Sequence, residues 1–435
     1  MTGLKTQAAR ATKRPTHRSE GGRARLERDA LRFLASYEVQ LIDFARELVA
    51  TPSPNPPGDE RDVIALSRER LAALGYKNLK SVAIEAARPN LVGEIVGGSP
   101  GRVLMLNGHL DTKPAGDRTE WETDPYDPVL RDGHLYGLGA ADMKGGVAAM
   151  VYAGAALGQL DVPAGSLKIG LTADEEAGSH FGVRFVAHRE EFSSDAVLVG
   201  EPTGMKSGWA YVAVASRGLS CFVIRVHGTQ MHSGLSDQVD SINASVKLAG
   251  VLSRMAGEFR PSRTQDGGAG GHVTVNPGVT LKGGVYFGVY PGEAEFGVDI
   301  RTVPGMTLSG LKADLEVFLE RLRREDPQLV VTAESVAGLD WMPPCSIEPG
   351  HALVRAAQSA ARDVLGRDVP LGTMPAFTDG SFWAEAGIPC IPAFGPGSLL
   401  AAHRPNENVA VEDIVVASRI HALTALRFLS AGAPS

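Results

Sequence analysis

The sequence predicts an α/β protein: a domain built on a mostly parallel mixed sheet, interrupted by an inserted ferredoxin-like α+β domain. Short apolar runs at Val103–Leu106, Leu167–Thr172 and Ala196–Val199 alternate with helical patterns, as expected of a sheet covered by helices on both faces. From Leu219 the order changes to strand (Leu219–Val226), helix (Ser241–Phe259), two strands (Val273–Leu281 and Ala294–Thr302), helix (Leu308–Arg324) and strand (Leu329–Ala333). That is the β-α-β-β-α-β order of a split βαβ module. A chain of 435 residues also exceeds what one hydrophobic core usually serves.

In chain order, residues 1–25 hold seven Lys or Arg and one Glu with no apolar stretch, and read as a disordered basic tail. From Leu26 to Ala50, Leu34, Leu41, Phe44, Ala45 and Leu48 recur at helical spacing, and the Pro-rich Thr51–Gly58 stops that helix as a rigid loop. A second helix spans Glu60–Leu74. After Gly338 the pattern resumes with a helix (Ala352–Leu365), a strand (Pro389–Phe394) and a helix (Val411–Leu429), which implies a return to the first domain. The expected division is therefore 1–25 tail, 26–215 first part of the larger domain, 216–338 insert and 339–435 second part of the larger domain. Gly267–Gly271 reads as a mobile loop.

A formal net charge of -7 leaves no basic footprint for nucleic acid, and no apolar run is long enough to span a bilayer. Cys221, Cys345 and Cys390 are odd in number and far apart, so they suit reduced, buried thiols of a cytoplasmic protein better than a disulfide framework.

In an open parallel sheet, ligands bind beyond the carboxyl ends of the strands. Polar residues stand there in four places: His109 and Asp111 after Val103–Leu106, Glu175 and Glu176 after Leu167–Thr172, Glu201 after Val197–Val199, and His403 a few residues beyond Pro389–Phe394. Asp142 lies where a glycine-rich loop enters a helix. Each has a bland reading alone: His-x-Asp is also a satisfied core pair, and paired glutamates commonly open a solvated helix. The Gly137–Asp142 loop lacks a dinucleotide register, because Asp142 occupies the third glycine's place and would repel a pyrophosphate. Their joint order is what points to a site. Two histidines and three carboxylates exceed the needs of one catalytic zinc and suffice for two divalent ions sharing a carboxylate; the mixed donors suit zinc, with manganese or cobalt as alternatives.

The runs Met105-x-x-x-His109-x-Asp111, Tyr136-Gly137-x-Gly139-x-x-Asp142-Met143-Lys144-Gly145-Gly146, Asp174-Glu175-Glu176 and Gly200-Glu201-Pro202-Thr203 resemble the signatures of the aminoacylase, carboxypeptidase G, acetylornithine deacetylase and succinyl-diaminopimelate desuccinylase family, over about Leu41–Leu429. The resemblance implies that Asp142 bridges two metals, with His109 and Glu201 completing one site and Glu176 and His403 the other. It implies that Asp111 accepts a hydrogen bond from the far ring nitrogen of His109. Glu175 becomes the general base, taking a proton from water and returning it to the departing amine.

The same resemblance assigns His232 to a lid motif that reaches the neighbouring subunit's active site as an oxyanion donor, with His227 the less favoured choice, and so implies a homodimer paired through the lid. Arg301 matches the family's substrate-carboxylate ligand. Gly288 departs from the pattern, standing where many relatives carry a substrate-binding Asn. Nearby Tyr286, Phe287 and Tyr290 offer stacking to a flat substrate, or simply pack the lid. The expected activity is hydrolysis of the amide bond of a small N-acyl amino acid or related compound. Alternatives are an exopeptidase, an aminohydrolase acting on an aromatic amine or other C–N bond, and, remotely, a non-catalytic binding relative.

Overall fold

Strand Val103–His109 lies inside a six-stranded sheet, and its own side chains are buried on both faces. Leu104 and Leu106 join one hydrophobic cluster while Met105 joins another, because successive strand residues point to opposite faces. The computed structural model describes residues 20–162, 164–205, 208–265 and 271–431. Residues 1–19 of the expected tail and Gly267–Gly270 of the expected glycine loop lie outside the described residues.

The chain is already helical from Glu20 (α1, Glu20–Ser36), so residues 20–25 are not tail. Arg23 pairs with Glu27 and Arg25 with Asp29, each one turn on, which neutralises the basic run within the helix. The single helix expected over Leu26–Ala50 is two. The chain turns at Tyr37, whose ring stacks on Phe33 at 4.3 Å, and α2 (Glu38–Val49) buries Leu41, Phe44, Ala45 and Leu48 in the same core as Leu34. Helix α3 follows at Arg61–Ala73.

The central sheet contains β1 (Lys77–Val82), β2 (Asn90–Val96), β3 (Val103–His109), β4 (Ser166–Thr172), β5 (Ala196–Val199) and the short Cys390–Ile391, in spatial order β1-β2-β4-β3-β5-Cys390–Ile391. β3 pairs in parallel with both β4 and β5, and Cys390–Ile391 with β5; β1 with β2 and β2 with β4 are antiparallel. Helix α4 (Gly145–Gly158) packs one face with Val147, Met150 and Val151, and the C-terminal helix Val411–Ser430 joins the same core.

A second sheet is antiparallel throughout, in the order β7-β8-β6-β9, from β6 (Gly218–His227), β7 (Thr274–Gly283), β8 (Glu293–Thr302) and β9 (Val330–Ser335). Helices α5 (Ala244–Glu258) and α6 (Leu308–Glu325) cover it, and its core, with Phe222, Ile224, Phe296 and Leu319, is separate from that of the central sheet. The chain enters and leaves this unit through paired segments: Leu219 N–H donates to Met342 O at 2.9 Å, and Met342 N–H to Leu219 O at 2.8 Å.

Candidate metal centre

Parallel pairing of β3 with β4 and β5 brings three strand ends to one edge. His109 is the last residue of β3, Glu175 and Glu176 occupy the turn after β4, and Glu201 follows β5. Asp142 sits in the turn Ala140–Lys144 that feeds α4. His403 comes from the loop before the C-terminal helix, with a left-handed φ of 58° and a half-exposed ring.

The two carboxylate oxygens of Asp142 face different histidines. Oδ1 lies 3.2 Å from His109 Nε2, and Oδ2 lies 3.1 Å from His403 Nε2. Glu201 Oε1 is 3.3 Å from His109 Nε2, and Glu176 Oε1 is 3.0 Å from His403 Nε2. The donor atoms thus form two groups, His109–Asp142–Glu201 and Asp142–Glu176–His403, each within 4.8 Å, with Asp142 common to both. An imidazole and two carboxylates per group, with one carboxylate shared, is a donor set that fits two divalent ions. Glu175 belongs to neither group, although it is buried beside them.

Burial and the neighbouring charges shift the pKa of these groups. Burial works to lower the His109 pKa, but the carboxylates of Asp111, Asp142 and Glu201 outweigh it and raise the imidazole well above its ordinary value. For His403 the Asp142 and Glu176 carboxylates overcome the same opposing burial and push the pKa to about 11. Burial raises Glu201 to about 8, with the Asp142 charge adding to it. Burial also drives Glu175 well above the carboxylate range, and the neighbouring Glu201, Glu176 and Asp379 charges act in the same direction.

Asp111 departs from its expected bond. His109 Nδ1–H donates to the Asp111 main-chain carbonyl at 2.9 Å, while the carboxylate stands off at 3.6 Å. The carboxylate is taken by main-chain donors instead: Oδ1 accepts Glu175 N–H and Oδ2 accepts Glu176 N–H, each at 3.1 Å. One buried residue therefore orients a histidine of the first group and the turn carrying both glutamates.

Further groups escaped the reading of the sequence. Glu407 accepts the N–H of Gly139, Ala141 and Asp142, and Lys113 Nζ reaches Glu176 Oε2 at 3.2 Å. Glu407 falls four residues after His403, the one local signal that could have drawn attention to it.

The residues assigned to the lid are not drawn into this cluster. His232 is exposed on a two-residue strand, its Nδ1 accepting Gly234 N–H at 3.0 Å; His227, at the end of β6, faces Glu293 at 3.4 Å. The Arg301 fork is closed on Asp299, with Nε–Oδ1 at 3.0 Å and Nη2–Oδ2 at 3.1 Å, since residues two apart on β8 share a face. Gly288 has φ +82° and open space where a Cβ would stand. Tyr286 is 78% exposed and Phe287 93%, so neither packs the insert.

Residues 105–427 match Peptidase family M20/M25/M40. The chain is 30% identical over 400 residues to the succinyl-diaminopimelate desuccinylase of Thioalkalivibrio sulfidiphilus (strain HL-EbGR7), covering 87% of this chain and 96% of the relative. It is 26% identical over 418 residues to the N-formyl-4-amino-5-aminomethyl-2-methylpyrimidine deformylase of Bacillus subtilis (strain 168), covering 88% and 93%. Its fold is similar to that of human carnosine dipeptidase 1, with a TM-score of 0.71 and 19% identity over 93% of this chain and 99% of the other. With most of its length matched and its relatives aligned nearly end to end, the chain belongs to Peptidase family M20/M25/M40 and is a hydrolase of that family.

Proposed function

We propose that this hydrolase cleaves the amide bond of a small N-acyl compound at a two-metal centre held by His109, Asp142, Glu176, Glu201 and His403. The observation that carries the reading is the orientation of Asp142, which turns one oxygen toward His109 and the other toward His403. Two divalent ions, zinc in the first place and manganese or cobalt as alternatives, would lower the pKa of water and polarise the scissile carbonyl. Glu175, buried beside both groups and outside each, takes the proton of the attacking water and delivers it to the departing amine nitrogen. Asp111 holds the main chain of Glu175 in place for both transfers.

The smaller sheet serves as the ferredoxin-like lid and as the pairing surface of a homodimer, in which the exposed His232 supplies an oxyanion donor to the partner's site. Unpaired Cys221, Cys345 and Cys390 suit a reducing compartment such as the cytoplasm. Among the described residues, no helix is long and apolar enough to cross a membrane.

One observation favours a second substrate class. Arg301, the expected ligand for a substrate carboxylate, is engaged by Asp299, while Tyr286 and Phe287 are exposed next to Gly288. These features support an N-acyl derivative of an aromatic amine, such as a formamide on a flat heterocycle, over an N-acyl amino acid. A mass-spectrometric screen of the zinc-loaded protein against N-acyl amino acids, dipeptides, and aromatic amides and amines tests both. Cleavage of amides supports the reading; release of ammonia from amines alone would overturn the amidohydrolase assignment while sparing the metal one.

A further inference from the structure

We infer that Asn55, in the Pro-rich loop after α2, is a positioning residue for the metal centre. This rests on the two-metal reading above, and it extends the hydrolytic machinery to a loop whose sequence alone marks only a helix stop. Asn55 is 3% exposed, and its side-chain Nδ2 donates to two buried carboxylates, Asp111 Oδ2 at 2.9 Å and Asp174 Oδ1 at 3.0 Å. The amide orientation follows from chemistry: only the NH2 end has two hydrogens to give, and the oxygen would be repelled by both carboxylates. The Asn55 main chain is itself fixed, with its N–H donating to Thr112 O at 2.8 Å.

The two carboxylates flank the residues that matter. Asp111 accepts the N–H of Glu175 and Glu176, and Asp174, at φ +67°, opens the turn containing both. Asn55 thus holds that turn from its two sides with one amide. The Arg88 guanidinium does not replace it. Arg88 is bound to Glu60 through Nε and Nη2 and reaches Asp174 at 2.9 Å, and no bond joins it to Asp111. Gly58 closes the loop against this guanidinium, which a Cβ there would strike. A buried carboxylate needs its lone pairs satisfied, and removal of one donor leaves the penalty in place. Loss of Asn55 therefore loosens Asp111, which also carries the carbonyl that orients His109, and so disturbs both halves of the centre.

The test uses the full chain, stripped of metal, as wild type and Asn55→Ala, with Asn55→Ser in reserve should the alanine variant not fold. Calorimetric titration with Zn2+ is expected to give two equivalents in both and an affinity roughly 10–100-fold weaker in the variant, the usual loss on removing an outer-shell partner. Independently of any metal, peptide-level hydrogen exchange over residues 173–178 is expected to run about tenfold faster in the variant, the equivalent of one lost hydrogen bond. A purely structural role lowers the melting temperature and leaves zinc affinity and local exchange at wild-type values, and that result overturns the inference. Failure of the wild type to take two zinc ions counts against the two-metal reading instead, and the exchange rates still decide the role of Asn55.

Discussion

Glu407 accepts the main-chain N–H of Asp142 at 3.0 Å, and with the same carboxylate those of Ala141 at 2.9 Å and Gly139 at 3.0 Å. The turn that presents Asp142 between the two histidines is thus held by a buried side chain from the loop that also carries His403. Glu407→Gln turns one of these accepting oxygens into a donor facing an N–H. The expected cost is about 1–3 kcal/mol of stability, with zinc affinity reduced roughly 10–100-fold. Urea unfolding and zinc titration of the same variant check the two together; wild-type values in both would remove Glu407 from the account.

Glu175 is buried next to both donor groups yet belongs to neither, which separates proton transfer from metal retention. Glu175→Gln keeps the size and removes the base. Turnover of whichever amide the screen identifies is expected to fall at least about 10²–10⁴-fold, with metal content unchanged by elemental analysis. A variant that loses both together would place Glu175 among the metal ligands.

His403 is the half-exposed member of its group, whereas Glu176 and Asp142 are buried. His403→Ala removes an imidazole that faces two buried carboxylates, at a cost in folding stability, and is expected to retain one zinc per chain after dialysis in place of two. Retention of both ions would exclude the imidazole from the centre.

The parts of this site legible in the sequence are those that follow a local rule. His109, Glu175, Glu176 and Glu201 each stand at or within four residues beyond the end of a buried apolar strand, and Asp142 sits where glycines lead into a helix. Asn55 and Glu407 escaped, and Asp174 appeared only as part of its motif, because their roles exist only across the fold: Glu407 meets its partners 265 to 268 residues away, and Asn55 meets Asp174 at a separation of 119. Strand β1 escaped for a different reason. Its sequence Lys-Asn-Leu-Lys-Ser-Val covers a sheet edge and is largely exposed, so it lacks an apolar run. The bond expected between His109 and the Asp111 carboxylate shows the limit of carrying a role over by motif: the residue is in place, and the atom that meets the ring is its carbonyl.

His421 gives a pH test away from the metal centre. It is fully buried on the C-terminal helix, with Nε2–H donating to Phe394 O at 2.8 Å, just before the Gly395–Ser398 strand. Burial disfavours the imidazolium and pushes the pKa from 6.5 down to about 4. The unfolded chain therefore binds a proton below about pH 6.5 that the folded chain refuses until about pH 4. Stability from this group is fully present above the higher value and is lost as pH falls through the window toward the lower one. Between pH 7 and pH 5 the loss comes to about 2 kcal/mol. His421→Gln retains a donor for the Phe394 carbonyl but cannot titrate, so its unfolding free energy should fall less than that of the wild type by that amount over the same interval. Other groups titrate equally in the two proteins and cancel in the difference. Parallel pH profiles in urea denaturation would mean that His421 is protonated in the folded chain as readily as in the unfolded one.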